Sequence, residues 1–128
     1  MQYQRDYSSV SELGDRDLLP ADEYVVEISS VREAQTKSNL PLIKIRYRVV
    51  RGAYENRNVF DQIVIFPGDQ SGAGITKHFL HVIGEQYEGK CIIDPLKWIK
   101  KRLTISVIID KAYNNNKVIR HTLYEDLP

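Results

Sequence analysis

Cysteine, long apolar runs and an excess of charge of one sign are all scarce or missing in this sequence of 128 residues. Cys91 is its one cysteine, which excludes an internal disulfide and a zinc site built from several cysteines, so a reducing intracellular setting is the simpler expectation. No apolar run approaches the roughly eighteen residues of a membrane span. The polar residues 1–6 precede no apolar stretch, so we expect no secretory signal, a soluble cytoplasmic protein and no membrane partner.

Hydrophobic residues make up 42% of the chain and charged residues 27%, which is typical of a globular protein that buries a core. The length suits one domain. We divide the chain into an N-terminal lead-in arm over residues 1–21, a folded domain over residues 22–124 and a short acidic C-terminal end over residues 125–128.

The net charge of +1 hides a segregation of charge along the chain. Residues 1–36 carry −5, residues 37–57 carry +5, residues 58–95 carry −3 and residues 96–128 carry +4. One interpretation is that oppositely charged strands pair on a solvated sheet face. The other is a basic groove, in a protein whose overall field toward DNA or anionic lipid is weak.

Alternation of apolar and polar residues predicts five strands. They cover residues 23–31, 42–50, 59–66, 103–110 and 118–124. The second strand alternates most clearly. Its predicted core side is Ile43, Ile45, Tyr47 and Val49, and its predicted outer side carries Lys44, Arg46 and Arg48.

One helix is predicted between the third and fourth strands. Ile75, Phe79, Val82 and Ile83 share one face of this helix, which ends at Gly84. In addition, Asp94-Pro95 is typical of the start of a short helix over residues 95–101. Three strands, a helix and two strands is the element order of the OB-fold. We therefore predict a mainly β protein, a five-stranded OB-fold-like Greek-key barrel with one helix between strands 3 and 4. A generic α+β meander is the alternative.

Four short motifs lie in order along the chain: Leu-Pro-Ala-Asp-Glu-Tyr over residues 19–24, Thr-Lys-Ser over residues 36–38, residues 52–61, and Phe-Leu-His-Val-Ile-Gly over residues 79–84. Together they resemble a family of small phage-encoded proteins of replication and recombination modules, largely catalogued as of unknown function. The resemblance covers residues 19–124 and implies an OB-fold that binds single-stranded DNA. The chain departs from the family at Asp22, where Gly is usual, and it lacks the terminal aromatic with which many single-strand-binding proteins recruit partners.

Binding of single strands needs cations for the phosphates and aromatic rings on which bases stack. Both residue types converge on the second and third strands and on the last hairpin. The candidates are Lys44, Arg46, Arg48, Arg51, Tyr54, Arg57, Phe60 and Phe66 in the first group, and Lys111, Tyr113, Lys117 and Arg120 in the second. The alternative for the basic strand face is plain solvation, because a half-buried strand requires a polar side.

The orientation of the third strand decides what its phenylalanines do. If Val59 and Ile63 face the core, Phe60 and Phe66 point outward as stacking platforms, and Asp61 lies on the inner side unless a bulge intervenes. If the orientation is reversed, both rings belong to the core. We favour the outward orientation.

No set of residues with the spacing of a catalytic site is present. His78 and His81 have neither zinc-finger nor metalloprotease spacing to Cys91 or His121, and no phosphate-binding loop follows the strands. We therefore expect no enzymatic activity, no metal and no cofactor.

The predicted function is sequence-nonspecific binding of single-stranded DNA in phage replication or recombination. The alternative is a non-catalytic phage protein-interaction or adaptor module. Phage or host replication and recombination proteins stay open as further partners, as does assembly into a homo-oligomer.

Overall fold

A computed structural model describes residues 1–6 and 18–124 of the chain. Its elements are β1 (Asp22–Gln35), β2 (Pro41–Val49), β3 (Asn58–Val64), α1 (Ala73–Val82), a 3-10 helix (Pro95–Trp98), β4 (Arg102–Asp110) and β5 (Asn115–Leu123). The predicted mainly β class, and the helix after the third strand, are confirmed. Residues 7–17 of the predicted arm and the predicted acidic end, 125–128, lie outside the described residues.

The five strands form one antiparallel sheet in the order β3-β2-β1-β4-β5. The long β1 is shared, because Asp22–Glu27 pairs with β4 while Val26–Gln35 pairs with β2. The two edge strands come close to each other: Nε2 of His121 on β5 lies 2.7 Å from Oδ2 of Asp61 on β3. The sheet is therefore strongly curled and has a protected inner face.

The core fills this inner face. The predicted core side of β2 is buried, with Ile45 only 1% exposed and Tyr47 fully covered. Trp98 and Phe79 close one end, with ring centroids 5.1 Å apart in an edge-to-face arrangement. Truncating a ring of this size in a core to alanine typically costs about 3–5 kcal/mol. The packing of these rings therefore accounts for a large share of the stability of the fold.

The last residues of the predicted arm belong to this packing. Leu19 is 1% exposed, and the side chain of Asn116 on β5 forms two hydrogen bonds of 2.9 Å with the Leu19 backbone, one to the N–H and one to the carbonyl. The hydroxyl of Tyr24 donates to the carbonyl of Pro20. The chain is thus anchored to β5 before β1 begins.

The helix α1 covers the end of the sheet near β3 and begins two residues before the predicted apolar face. Ile75 is 62% exposed and Thr76 is buried instead, because the Thr76 hydroxyl donates to the carbonyl of Val64 at 2.9 Å and accepts from the N–H of Phe66 at 3.0 Å. The helix ends before Gly84, whose φ of +76° favours glycine. No helix in the described parts of the chain has the length and apolarity that crossing a membrane requires.

The predicted short helix after Asp94 is a single 3-10 turn. The Asp94 side chain accepts a hydrogen bond from the N–H of Leu96 at 3.2 Å, as its capping position predicts. The turn ends early because the backbone of Lys100 and Lys101 already pairs with Ile28 on β1, at 2.8 and 2.9 Å. Ile99 and Lys100 therefore form a turn, with Lys100 at a φ of +76°, where the prediction had a helix.

Candidate nucleic-acid interface

The outer face of β2 carries the predicted basic side chains. Lys44, Arg46 and Arg48 alternate with buried residues, as the sequence pattern predicts. Strand register places Arg46 opposite Phe60 on β3, and Lys44 opposite Arg32 on β1. Directly opposite side chains on one sheet face lie about 5 Å apart at Cβ. An aromatic ring and four cations therefore share this face.

Phe60 points outward, as we favoured. Its side chain is 68% exposed, whereas Val59 and Ile63 are 2% and 3% exposed. The pairing of β2 with β3 runs without a register shift, so no bulge reorients this strand. Leaving a phenylalanine in water forgoes about 1.5–3 kcal/mol of burial. A ligand that covers the ring would recover part of that free energy.

A groove of about 630 Å³ runs along the outer face beside Phe60. Its polar lining consists of the cations Arg32, Lys44 and Arg46, the amides Asn58, Gln62, Asn115 and Asn116, and Ser30. The start of β5 thus contributes a wall to a groove whose floor is β2 and β3. Asp61 is the one acidic residue among the described groove residues. The groove is therefore positively charged.

The carboxylate of Asp61 is engaged on the inner side of the sheet. The hydroxyl of Tyr47 donates to its Oδ2 at 2.8 Å, Nε2 of His121 lies 2.7 Å from the same oxygen, and the N–H of Gln62 donates to Oδ1 at 2.8 Å. Burial, and then the charge and hydrogen bond of Asp61, raise the pKa of Tyr47 well above its usual range. The Tyr47 hydroxyl therefore stays protonated as a donor at neutral pH.

Arg48, two residues beyond Arg46, is held by other side chains of the protein. Its Nη2 lies 3.5 Å from Oε1 of Glu27, and its Nη1 donates to Oδ1 of Asn56 at 3.1 Å. Glu27 also contacts Arg102 on β4 through Oε2 at 3.2 Å. The charge of Arg48 is thus partly neutralised by the fold, whereas Arg46 forms no ion pair with any residue in the ranges 1–6 and 18–124.

The other predicted residues of the β2–β3 hairpin also have contacts within the fold. The guanidinium of Arg51 lies 5.6 Å from the ring centroid of Tyr124, and the half-buried Tyr54 packs edge-on against Tyr24 at 6.1 Å. Burial, and then the charge of Asp22, raise the pKa of Tyr24. The charge of Arg57 lowers the pKa of Tyr24, because this charge is near the Tyr24 ring. These side chains build the hairpin and line no part of the groove.

Phe66 lies apart from Phe60. It follows the end of β3 and is half-buried against the start of α1, where a Cβ on Gly72 would come within 2.6 Å of its ring. It lines a separate pocket of about 430 Å³ with Leu80 and Tyr87. The two phenylalanines that the sequence grouped together thus do not line one groove.

The second predicted group is exposed but lies beside the groove rather than in it. Lys111 and Tyr113 occupy the loop between β4 and β5, with Tyr113 79% exposed, and Lys117 and Arg120 lie on β5. The residues of this hairpin that line the groove are instead Asn115 and Asn116. The hairpin therefore contributes amides to the groove and keeps its cations outside it.

Arg32 is a groove residue that the sequence prediction missed. Strict alternation along β1 would place it on the same face as the buried Ile28. A register shift between Ile28 and Ser30 turns Ser30 and Arg32 to the outer face. The signal in the sequence is the polar pair Ser29-Ser30 inside an apolar strand, after which the alternation changes phase.

The bulge also positions Arg46. The Ser29 hydroxyl donates to the carbonyl of Arg46 at 2.9 Å and accepts from its Nε at 3.2 Å. One short side chain thus holds the Nε of Arg46, a residue that lines the groove.

The histidines considered as metal ligands are engaged elsewhere. Nε2 of His78 lies 3.0 Å from the carbonyl of His121, and His81 stacks on Tyr87 at 4.3 Å. Within residues 1–6 and 18–124, no group of three or more His, Cys, Asp or Glu residues is placed to hold a metal ion. Compared with models of known protein families and with curated protein sequences, the chain matches none.

Proposed function

We propose that this protein binds single-stranded DNA without sequence specificity, in phage replication or recombination. The observation that carries the proposal is the exposed ring of Phe60 in a groove lined by Arg32, Lys44 and Arg46. A ring of this kind stacks with any base, worth about 1–3 kcal/mol per base, while cations follow the phosphates. The phage setting comes from the family resemblance of the sequence.

An OB-like barrel is part of the proposal. The sheet order supports this part of the proposal, because a five-stranded barrel opened between β3 and β5 would have the same order. The Asp61–His121 pair brings these two strands together. OB-folds bind oligonucleotides on the face of their second and third strands, beside the loop between the fourth and fifth. The groove lies on that face, with Asn115 and Asn116 beside it.

The charges support modest, salt-sensitive affinity. The three groove cations and the neighbouring Arg48 offer about four phosphate contacts, which corresponds to a slope of log affinity against log salt near −3 for single strands. The net charge of +1 adds little long-range attraction. Binding should therefore be strong only at low ionic strength.

Fluorescence anisotropy with labelled oligo-dT over a series of salt concentrations tests the proposal. Phe60→Ala should weaken binding about 5- to 150-fold, the equivalent of one lost stack, and Phe60→Trp should retain it. Leu96→Ala is the matched control, because Leu96 is 71% exposed on the 3-10 helix, away from the groove. It should leave the affinity unchanged.

Wild-type protein that shows no salt-dependent binding to oligo-dT would refute the proposal. Binding that Phe60→Ala and Leu96→Ala reduce equally would refute the assigned site. The first result would favour the alternative, a non-catalytic interaction or adaptor module. For that module, replacing Arg46 and Arg48 by glutamate should leave its activity unchanged.

A further inference from the structure

A row of charged side chains crosses the outer face of the sheet from β2 to β4. Strand register places Arg48 opposite Glu27 and Glu27 opposite Arg102. The Glu27 carboxylate contacts both guanidiniums, at 3.5 and 3.2 Å. The hydrogen bond that Arg102 donates to Glu27, followed by one with Tyr124, raises the pKa of Arg102, which keeps it charged. One carboxylate is thus shared by two cations, and the row keeps a positive charge.

A second row lies beside the first. Register places Phe60 opposite Arg46, and Arg46 opposite Ser30. On the other side of β1, the N–H of Lys100 donates to the carbonyl of Ile28 at 2.8 Å. The Lys100 side chain is exposed. This row therefore leads from the stacking ring to a cation just before β4, without an acidic residue among the residues named.

The two rows continue the groove rather than form a separate surface. Adjacent strands lie about 4.8 Å apart, so the path from Phe60 on β3 to Arg102 on β4 is roughly 14 Å long. Ser30 and Glu27 on β1 lie between the two ends, whereas Arg32, which the β1 bulge turns outward, lies opposite Lys44 on the groove side of this path. A flexible polyanion bound at the groove would meet these cations next.

We infer that a bound single strand of DNA extends beyond the β2–β3 groove, across β1, to the start of β4, where Lys100 and Arg102 contact further phosphates. The inference rests on the proposed function and enlarges its site. The competing explanation is that Arg48, Glu27 and Arg102 form a cross-strand ion-pair ladder whose only role is structural. The two explanations differ in how binding depends on oligonucleotide length.

The experiment measures anisotropy with two labelled oligo-dT probes, of about 5 and about 16 nucleotides, which bracket the site sizes of OB-type domains. The test variant combines Lys100→Asn with Arg102→Gln. Asparagine is chosen because Lys100 has a φ of +76°, which asparagine tolerates better than most residues. The matched control, Lys77→Gln with Lys90→Gln, removes the same charge from α1 and the following loop.

For the long probe we expect the test variant to lower affinity about 5-fold at low salt and to make the salt slope shallower by about 1. For the short probe, and for the control variant with either probe, affinity should stay within about 2-fold of wild type. An unchanged affinity for the long probe, or an equal loss with both probes, would overturn the inference and leave the proposed function intact. Wild-type protein that binds neither probe would instead remove the proposed function itself.

Glu27→Gln provides a second test that does not depend on the stability of the double variant. It removes the shared carboxylate and keeps Arg48 and Arg102. Affinity for the long probe should rise about 3-fold at low salt, because two guanidiniums lose their internal counter-ion. An unchanged or weaker affinity contradicts the inference.

Discussion

Phe60 and Asp61 are neighbours on β3 whose side chains point to opposite faces of the sheet. Each side chain is on the face that its polarity would not predict. The aromatic ring faces water and the carboxylate faces the interior. Asp61 has partners there: the Tyr47 hydroxyl and the His121 ring converge on one of its oxygens. On the outer face, Phe60 lies in a groove with Arg46. The partners of Asp61 within the fold thus account for its inward orientation, and the proposed binding site would account for the exposure of Phe60.

This comparison separates structural groups from the groups of the proposed binding site on the same two strands. Inner-face changes should lower the free energy of unfolding and leave the affinity of the folded protein for DNA unaltered. Outer-face changes should do the reverse, because exposed side chains contribute little to stability. The predictions below test that separation.

Asp61→Ala should have the largest effect. It removes the acceptor of the Tyr47 hydroxyl and the partner of His121, and leaving such covered groups unpaired costs about 2–4 kcal/mol. Urea denaturation measures the loss. Asp61→Asn, which keeps an acceptor of the same size, should lose less. A stability unchanged by Asp61→Ala would show that the inner network does not hold β3 to β5.

Arg46→Gln and Arg48→Gln compare two cations of one strand face. Arg46 should matter for binding, with about a 5-fold loss of affinity for short oligo-dT and no change in stability. Glu27 already neutralises Arg48 in part, so Arg48→Gln should lower the affinity about 2-fold and the free energy of unfolding by about 0.5 kcal/mol. Anisotropy and urea denaturation measure the two quantities. Identical profiles for the two variants would contradict the distinction drawn from their contacts.

Tyr47→Phe has a small effect that depends on pH. The variant lacks the donor to Asp61 and should be about 1 kcal/mol less stable near neutral pH. Since the folded pKa of Tyr47 is raised above its unfolded value of about 10, the wild-type hydroxyl contributes fully below that pH and its contribution is lost as pH rises through the folded pKa. The stability difference should therefore shrink above about pH 10. A difference that stays constant from about pH 8 to about pH 11 in urea denaturation would contradict this assignment.

Much of the fold follows from local periodicity. The alternation along β2, the outward side of Phe60 and the helical spacing from Phe79 to Ile83 are properties of short segments, and the structure confirms them. Local periodicity does not predict the face on which Arg32 lies or the position of Phe66. The face of Arg32 depends on a bulge, which shifts the phase of alternation, and the position of Phe66 depends on the gap that Gly72 leaves.

A strand has a side-chain period of two, so a short stretch of sequence is enough to predict which residues alternate between core and solvent. The sequence also shows that cations and aromatics concentrate near β2 and β3. Sequence periodicity does not predict which of these cations line a groove. The surroundings of each cation depend on partners far along the chain. Glu27 contacts both Arg102, which lies 75 residues away, and Arg48. Arg46 contacts Ser29 instead.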